Sequence, residues 1–319
     1  MILLFFLLLV NSLFATLSTP LTLDFGEGYR EDHLKLHLLL PNPAGGTWYE
    51  ERYDPIRFAQ TEATLRFVER DIYVLFNGGY GAIGKCTMKQ GPLSVPFSTN
   101  EASFHFHTTG QSAHAMGIFG YQVDLTPCRH YTVAFTPLFG YGYYYEKLKR
   151  KMPTPNPFSS PLSAGNPSFF NMFSSLSRKN LTTIWKGFFV GADVQVNPGG
   201  IVTFNATYAY HFMALRQKIA IETHTELFSP TILLEDFTTL WDTNVHTPNN
   251  HGHLGILKAY FDISCHWGAL LYGKILYFTS HMRDVTLKQT VNGFSTTSTT
   301  SYKMTHLMLE ILVEGSYKF

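Results

Sequence analysis

The feature that most constrains this chain is a period-two alternation of apolar and polar residues, which is clearest at the C-terminal end. Counting back from Phe319, Val313 and Ile311 lie on one face, whereas Glu314 and Glu310 lie on the other. Such an alternation predicts an extended strand with one apolar and one polar face. Ten segments follow the pattern, some more loosely than others: residues 34–40, 56–68, 72–84, 115–125, 130–145, 182–196, 202–214, 253–265, 268–282 and 306–319.

The connections between these segments alternate in length. Short turns follow the second, fourth, sixth and eighth segments, as at Asn-Pro-Gly-Gly in residues 197–200, and the other connections are longer. Bacterial outer-membrane barrels share this asymmetry and have an even number of strands. We therefore predict an all-β fold, a ten-stranded antiparallel transmembrane β-barrel with short periplasmic turns and long external loops.

A soluble β-sandwich or lipocalin-like barrel is the alternative fold, and its apolar face would point inward. Two observations favour the membrane barrel. The predicted strands run about 12 to 17 residues, which is longer than the usual 5 or 6. The aromatic residues lie near the strand ends, as they do in the interfacial girdles of membrane barrels.

The N-terminal region predicts export from the cytoplasm. Residues 2–17 form the only long apolar run, and it is too short and interrupted for a comfortable membrane helix. Small residues follow it, as in a secretory signal peptide, although the terminal amine alone supplies positive charge at its start. We expect a signal peptide at 1–18 and the barrel at 19–319, in the cell outer membrane. An uncleaved anchor is the alternative.

Composition narrows the expected partners. Charged residues make up 15% of the chain, aromatic residues another 15%, and the net charge is +1. With no basic run or stripe, nucleic acid is not an expected partner. We expect outer-membrane lipid and the barrel-assembly machinery as partners, with Phe319 as the assembly signal of the last strand, and we expect no cofactor. Small solutes and host or surface ligands remain open as further partners.

Several short motifs near the start of the predicted barrel resemble a known family. They are Gly26-Glu27-Gly28-Tyr29-Arg30-Glu31-Asp32-His33-Leu34, Asp54-Pro55-Ile56-Arg57-Phe58-Ala59-Gln60, Asp71-Ile72-Tyr73 and Asn77-Gly78-Gly79-Tyr80-Gly81. They are similar to the opening strands of the protochlamydial outer membrane protein family, and the likeness covers about the first third of the chain. That family in turn resembles the omptins, ten-stranded outer-membrane proteases, and the implied strand count agrees with the alternation pattern.

The omptin resemblance raises the question of proteolysis. Omptins carry an Asp pair at the second external loop and an Asp-x-His pair at the fourth. Here no Asp occurs between Asp71 and Asp124, and Glu101 is the only carboxylate in that stretch. Glu222 and His224 only partly match the second pair. We interpret them as a solvated loop pair, predict no catalytic residues and do not expect a protease.

Histidine and cysteine residues do not predict a metal site. His105 and His107 share a face near His114, and the motif His251-Gly252-His253 precedes the eighth strand. No Cys or carboxylate completes a site at a recognisable spacing, so we interpret these histidines as polar loop residues. The cysteines at 86, 128 and 265 form neither a disulfide framework nor a zinc motif, although a bond between the last two is possible.

The polar faces of the strands predict a charged lumen. Ten strands enclose a lumen whose diameter lies near the narrow end of the range of known barrels. Mixed charges in so narrow a barrel can pair and plug it, or line a thin wet path for small solutes, and the sequence leaves both open. The charged residues predicted to face the lumen are Lys35, Glu62, Arg66, Asp193, Lys258, Asp262, Lys274, Glu310 and Glu314.

The expected function is that of an outer-membrane barrel of porin-like or structural type. The alternative is a surface adhesin or receptor that acts through its external loops, and an omptin-like endopeptidase is less favoured. Two connections are long enough to be functional. Residues 157–173 present several Phe side chains, and residues 225–241 suggest either a short amphipathic helix or an extension of the strands beyond the membrane.

Overall fold

The fold is known from a computed structural model, which describes residues 21–40, 47–90, 103–104, 107–125, 131–151, 172–227, 236–291 and 294–319. The expected signal peptide, residues 1–18, lies outside this part of the chain. Within the part that is described, no helix is long and apolar enough to cross a membrane.

Ten long β-strands, β1 to β10, make up the fold. In chain order they are β1 Leu21–Leu40, β2 Thr47–Glu69, β3 Ile72–Gln90, β4 His107–Tyr121, β5 Thr132–Lys151, β6 Met172–Asn197, β7 Val202–Leu227, β8 Asp236–Asp262, β9 Trp267–Val291 and β10 Phe294–Lys318. Two short segments add to the sheet. Ser103–Phe104 pairs with β3, and Val123–Asp124 pairs with β5.

The sheet closes on itself. Each strand pairs antiparallel with the next, and β1 pairs with both β2 and β10. The closing register with β10 runs from Thr22 opposite Lys318 to Leu38 opposite Tyr302. Closure leaves every strand with two neighbours, which is the condition for a sheet to cross lipid. The predicted ten-stranded antiparallel barrel is confirmed.

The strands are longer than the alternation pattern predicts. β1 begins at Leu21 rather than at residue 34. The predicted connection over 284–301 is wrong for most of its length, because β9 continues to Val291 and β10 begins at Phe294. Within 225–241, strand residues reach Leu227 and resume at Asp236, which agrees with the extension of strands rather than with a helix. The connection 157–171 lies outside the described residues.

Side chains near the short-turn end follow the membrane pattern. On β7, Phe204, Tyr208 and Phe212 point outward and are exposed, whereas Ala209 and His211 point inward and are buried. Inward and outward side chains alternate in this way from Thr203 to Ala220. An apolar outer band with a mixed interior is the pattern of a barrel in lipid.

The polarity of the two faces reverses towards the opposite end. On β1, Leu34 and Leu36 are fully buried inside the barrel, and on β7 Leu215 is buried in the same way. The neighbouring outward residues on β7, Arg216 and Lys218, are exposed. An outer surface that faces water requires polar residues, so these ends of the strands extend beyond the apolar band.

Two turns at the periplasmic end need unusual backbone angles. Arg70 and Asp71 have φ of 47° and 71°, and they form the tight turn between β2 and β3. Gly199 has φ of 80° between β6 and β7, and its N–H donates to Asn197 Oδ1 at 2.9 Å. Asn, Asp and Gly tolerate such angles best, which explains their place in hairpin turns.

Phe319 lies at the same end of the barrel as these turns. Its backbone N–H donates to the carbonyl of Leu21 at 2.9 Å, and its ring contacts Tyr317 at a centroid distance of 4.9 Å. The last residue is therefore held at the closure of β1 with β10. Its role as the assembly signal stays a prediction.

Candidate functional site

The barrel interior holds the charged residues of the candidate site. Eight of the residues predicted for the lumen occupy inward positions on their strands: Glu62, Arg66, Asp193, Lys258, Asp262, Lys274, Glu310 and Glu314. Glu62, Lys274, Glu310 and Glu314 are nearly inaccessible to solvent. Asp262 lies at the periplasmic rim, where it accepts a hydrogen bond from Lys318 Nζ at 2.5 Å.

Lys35 does not face the lumen. It lies between Leu34 and Leu36, which are both fully buried inside, so its side chain points to the outer surface. The expectation is reversed because this end of β1 stands beyond the apolar band. There the apolar residues of the strand turn inward and the polar ones face water.

The first group of interior residues, the Lys274 cluster, comprises Lys274, Glu62, Glu310, Tyr272, His114 and Asn77. Lys274 Nζ lies 2.7 Å from Glu62 Oε1 and 2.6 Å from Glu310 Oε2. The Tyr272 hydroxyl donates to the second oxygen of Glu62. His114 Nε2 lies 2.8 Å from Glu62, and Asn77 donates to Glu62 at 3.0 Å.

These contacts cross the barrel. Glu62 lies on β2 and Lys274 on β9, and two strands separate them along the sheet. His114 reaches the same carboxylate from β4. The prediction that His114 is a polar loop residue is wrong, because His114 is buried within the barrel. A charge pair so well removed from water depends on close geometry and additional hydrogen bonds, and both are present.

The second group, the Arg30 cluster, comprises Arg30, Asp32, Glu146 and His306. Arg30 Nη2 lies 2.5 Å from Asp32 and 3.5 Å from Glu146. His306 Nε2 lies 3.2 Å from Asp32 and 3.3 Å from Glu146. Glu146 belongs to β5 and His306 to β10, on opposite sides of the barrel, so this cluster also bridges the interior.

The Arg30 cluster includes a set of atoms that a metal ion could join. One ligand atom each from Asp32, Glu146 and His306 lies within 4.8 Å of the others. The Arg30 guanidinium already contacts both carboxylates, and its positive charge disfavours a cation at the same place. The chemistry that this arrangement supports best is therefore charge pairing.

An apolar plug surrounds the Arg30 cluster and fills the interior on the external side of both clusters. On β9, Leu276 and Phe278 follow Lys274, and on β10, Met304 precedes His306. The rings of Trp185 and Phe278 stack at a centroid distance of 4.9 Å. The largest side chains of the plug are almost inaccessible to solvent: Trp185, Tyr53, Tyr302, Phe58, Phe189, Phe278, Leu34, Leu36, Ile56, Leu148 and Leu181.

The periplasmic part of the interior is more polar and contains small cavities. Asp193 accepts hydrogen bonds from Asn205 at 3.1 Å and Thr207 at 2.5 Å. Two cavities of about 30 Å³ each adjoin these residues, and Lys258 lines both. A cavity of this volume has room for about one or two water molecules. No solute larger than water fits there without movement of side chains.

Four other residues with candidate roles lie outside the two clusters. Glu222 and His224 belong to strand β7 and not to a loop. His251 and His253 are exposed on the outer face of β8, where the Tyr208 hydroxyl is 2.8 Å from His253 Nδ1. Glu101, His105 and Cys128 lie outside the described residues. Cys86 is buried and Cys265 is exposed, and neither forms a disulfide with another described residue.

The Arg30 cluster was not predicted from the sequence as a site. Arg30 and Asp32 fall before residue 34, where the first strand was predicted to begin, so no face was assigned to them. Glu146 lies one position beyond the predicted end of the fifth strand. Arg30 and Asp32 alternate along the chain with Glu31 and His33. This pattern places Arg30 and Asp32 on one face of a strand, but only if the first strand is taken to begin before residue 30, as β1 does.

A closed antiparallel barrel with an apolar outer band and a paired interior defines an outer-membrane β-barrel protein. The sequence model of the Protochlamydia outer membrane protein family matches residues 24–308. The chain therefore belongs to this family, which confirms the resemblance and the outer-membrane location. No curated protein sequence matches the chain.

Solved structures of other barrels resemble this chain in fold. The outer membrane protease OmpT from Escherichia coli is 10% identical, with a TM-score of 0.58 over 95% of this chain and 99% of that one. The translocator domain of the autotransporter NalP from Neisseria meningitidis is 12% identical, with a TM-score of 0.34 over 98% and 93%. The toluene transporter TodX from Pseudomonas putida is 10% identical, with a TM-score of 0.27 over 97% and 92%. At these sequence identities a structural likeness shows the fold alone. Of the three structures, only OmpT has a TM-score high enough to support the assignment of the fold.

Proposed function

We propose that this protein is an outer-membrane barrel of the structural type, closed to solutes in its resting conformation. The apolar plug is the observation that carries the proposal. Its named side chains come from β1, β2, β5, β6, β9 and β10, and they lie around the Arg30 cluster and on the external side of both clusters. Ions do not cross a close-packed apolar layer, because their charge cannot be desolvated there at an acceptable cost.

The charge clusters support the same proposal. They tie strands that are not neighbours in the sheet, such as β2 to β9 through Glu62 and Lys274, and β5 to β10 through Glu146 and His306. Such ties resist collapse or shear of the barrel. A rigid barrel of this kind is a suitable anchor for external connections that act at the surface, which is how an adhesin or receptor role would operate.

A second candidate, the porin-like function, rests on the polar periplasmic part of the interior. Glu310 Oε1 and Glu314 Oε1 are buried and have no hydrogen-bond partner among the described residues. Buried carboxylate oxygens normally find a partner, and water can supply it. A hydrated path through this part, opened by movement of the apolar plug, would conduct small ions.

Single-channel recording of the refolded protein in a planar bilayer separates the two candidates. We expect no discrete current steps from the native protein, whose folded state is checked by its heat-modifiable migration in gels. Steps whose ion selectivity changes with Lys258→Glu, but not with the outward Lys186→Glu, would overturn the structural proposal and establish a pore. A folded and silent barrel supports the structural proposal.

A further inference from the structure

A buried imidazole lies within the apolar plug. His211 points inward from β7, and its side chain is inaccessible to solvent. Three aromatic rings enclose it. The centroid of the imidazole lies 4.7 Å from that of Phe189, 5.9 Å from that of Phe278 and 6.2 Å from that of Tyr144. His211 is therefore a titratable residue among mainly apolar side chains.

Two other imidazoles are buried in the described part of the interior, and both contact carboxylates. His114 Nε2 lies 2.8 Å from Glu62 Oε1, and His306 Nε2 lies 3.2 Å from Asp32 Oδ2. In His211, by contrast, neither ring nitrogen has a hydrogen-bond partner among the described residues. A buried polar group without a partner lowers the free energy of unfolding, so its presence calls for an explanation.

The rings around His211 are closely packed on the backbone of neighbouring strands. Gly252 lies opposite His211 on β8, and a Cβ there would lie 2.3 Å from the ring of Phe278. Gly140 lies opposite Phe189 on β5, and a Cβ there would lie 2.3 Å from Phe189 Cζ. His211 lines neither of the two small interior cavities. Contact between the imidazole and bulk water therefore requires that at least one of these rings moves.

The surroundings of His211 offer no counter-ion in contact with it. On β7, the inward residues from Thr203 to Ile219 include no other titratable side chain. His253 lies on the outer face of the neighbouring strand β8 and carries no negative charge. A proton on His211 would therefore add a charge that no described carboxylate in contact neutralises. The nearest inward titratable residues along the other strands are Tyr144 and Glu146 on β5, Asp193 on β6, Lys258 on β8, Tyr272 and Lys274 on β9, His114 on β4 and His306 on β10.

The protonation of His211 is coupled to the packing of the plug. An imidazole in water takes up a proton between about pH 8 and pH 5. An imidazolium without a counter-ion in a close-packed apolar layer is strongly disfavoured. A proton therefore binds more tightly to a conformation in which His211 meets water than to the closed plug. Because a ligand favours the state that binds it better, acid shifts the barrel towards that conformation.

We propose that His211 is an acid-sensitive gate, whose protonation opens the apolar plug so that the barrel conducts small ions. The rings of Phe189 and Phe278 separate as water reaches the imidazolium, and the polar periplasmic part of the interior then continues past His211. At neutral pH the imidazole is uncharged and the rings close over it. The inference rests on the proposed closure of the plug at neutral pH, and it adds the signal that opens it.

Single-channel recording of the refolded protein at about pH 7 and about pH 5 tests this gate. We expect no current steps from the native protein at the higher pH and discrete steps at the lower one. Because one proton opens one barrel, the ratio of open to closed time should rise by up to about tenfold for each unit of pH. His211→Phe keeps a ring in the layer but cannot be protonated, so it should be silent at both pH values. His253→Phe is the matched control, since His253 is exposed on the outer face of β8, and its acid opening should be unchanged.

The outcomes distinguish this inference from the proposed function. Heat-modifiable migration at each pH confirms that the barrel is folded, and His211→Leu replaces His211→Phe if the larger ring prevents folding. A folded native barrel that is silent at both pH values would overturn the gate and leave the closed structural barrel standing. Acid-dependent steps that persist in the folded His211→Phe or His211→Leu variant would overturn the role of His211. Steps from the native protein at neutral pH would contradict the closure itself, and the gate with it.

Discussion

Removal of the ammonium group of Lys274 is the sharpest test of the interior. In the Lys274→Met variant, the side chain keeps most of its volume but Glu62 and Glu310 lose their shared cation. Both carboxylates are nearly inaccessible to solvent, and Lys274 Nζ lies within 2.7 Å of each. The change therefore leaves two carboxylates facing each other inside the barrel.

The size of the effect follows from these distances. At 2.7 Å and an effective dielectric constant of about 20, each pair gains about 6 kcal/mol of gross Coulomb attraction. Desolvation of the charges in the folded state cancels much of this gain. Removal of one partner from a buried pair usually costs about 3–5 kcal/mol, because it strands the other charge. We expect the unfolding free energy to fall by about that amount.

Urea unfolding in lipid vesicles, followed by tryptophan fluorescence, measures this change, since the chain contains 4 Trp. Lys186→Met is the control, because Lys186 is exposed on the outer face of β6 and its loss should alter the unfolding free energy by less than about 0.5 kcal/mol.

The neutral variant Glu62→Gln/Lys274→Met/Glu310→Gln provides a second check. It removes the stranded charges together with the cation, so it should be more stable than Lys274→Met alone. A Lys274→Met variant within about 1 kcal/mol of the native protein would refute the argument that these carboxylates are buried and depend on Lys274.

Two further predictions concern packing and thiol access. Gly79→Ala should lower the unfolding free energy by about 1–3 kcal/mol, because a Cβ there would lie 2.4 Å from His114 Cε1. Gly255→Ala should be neutral or slightly stabilising in the same urea titration, because nothing lies within 4 Å of its added Cβ. In the folded protein, a maleimide should modify the exposed Cys265 and leave the buried Cys86 unmodified, as peptide mass mapping can show. Equal modification of both before unfolding would contradict the position of Cys86.

The membrane barrel was predictable because its signal is local. Alternation along one strand depends only on the geometry of the backbone, and the lengths of connections can be counted in the chain. Glu62, Lys274 and Glu310 could be assigned to the polar faces of their strands in the same way. The resemblance to the family also rested on local motifs, and the match over residues 24–308 extends it far beyond the first third of the chain.

The tertiary structure decided which residues meet and which face meets lipid. Alternation shows that Leu34 and Leu36 share a face, but not whether that face points to lipid or to an apolar plug, and this is why Lys35 was misplaced. The pairing of Glu146 with His306 depends on the closure of strands that are far apart in the chain. Contacts across a lumen follow from the curvature and register of the whole sheet, which no single segment contains.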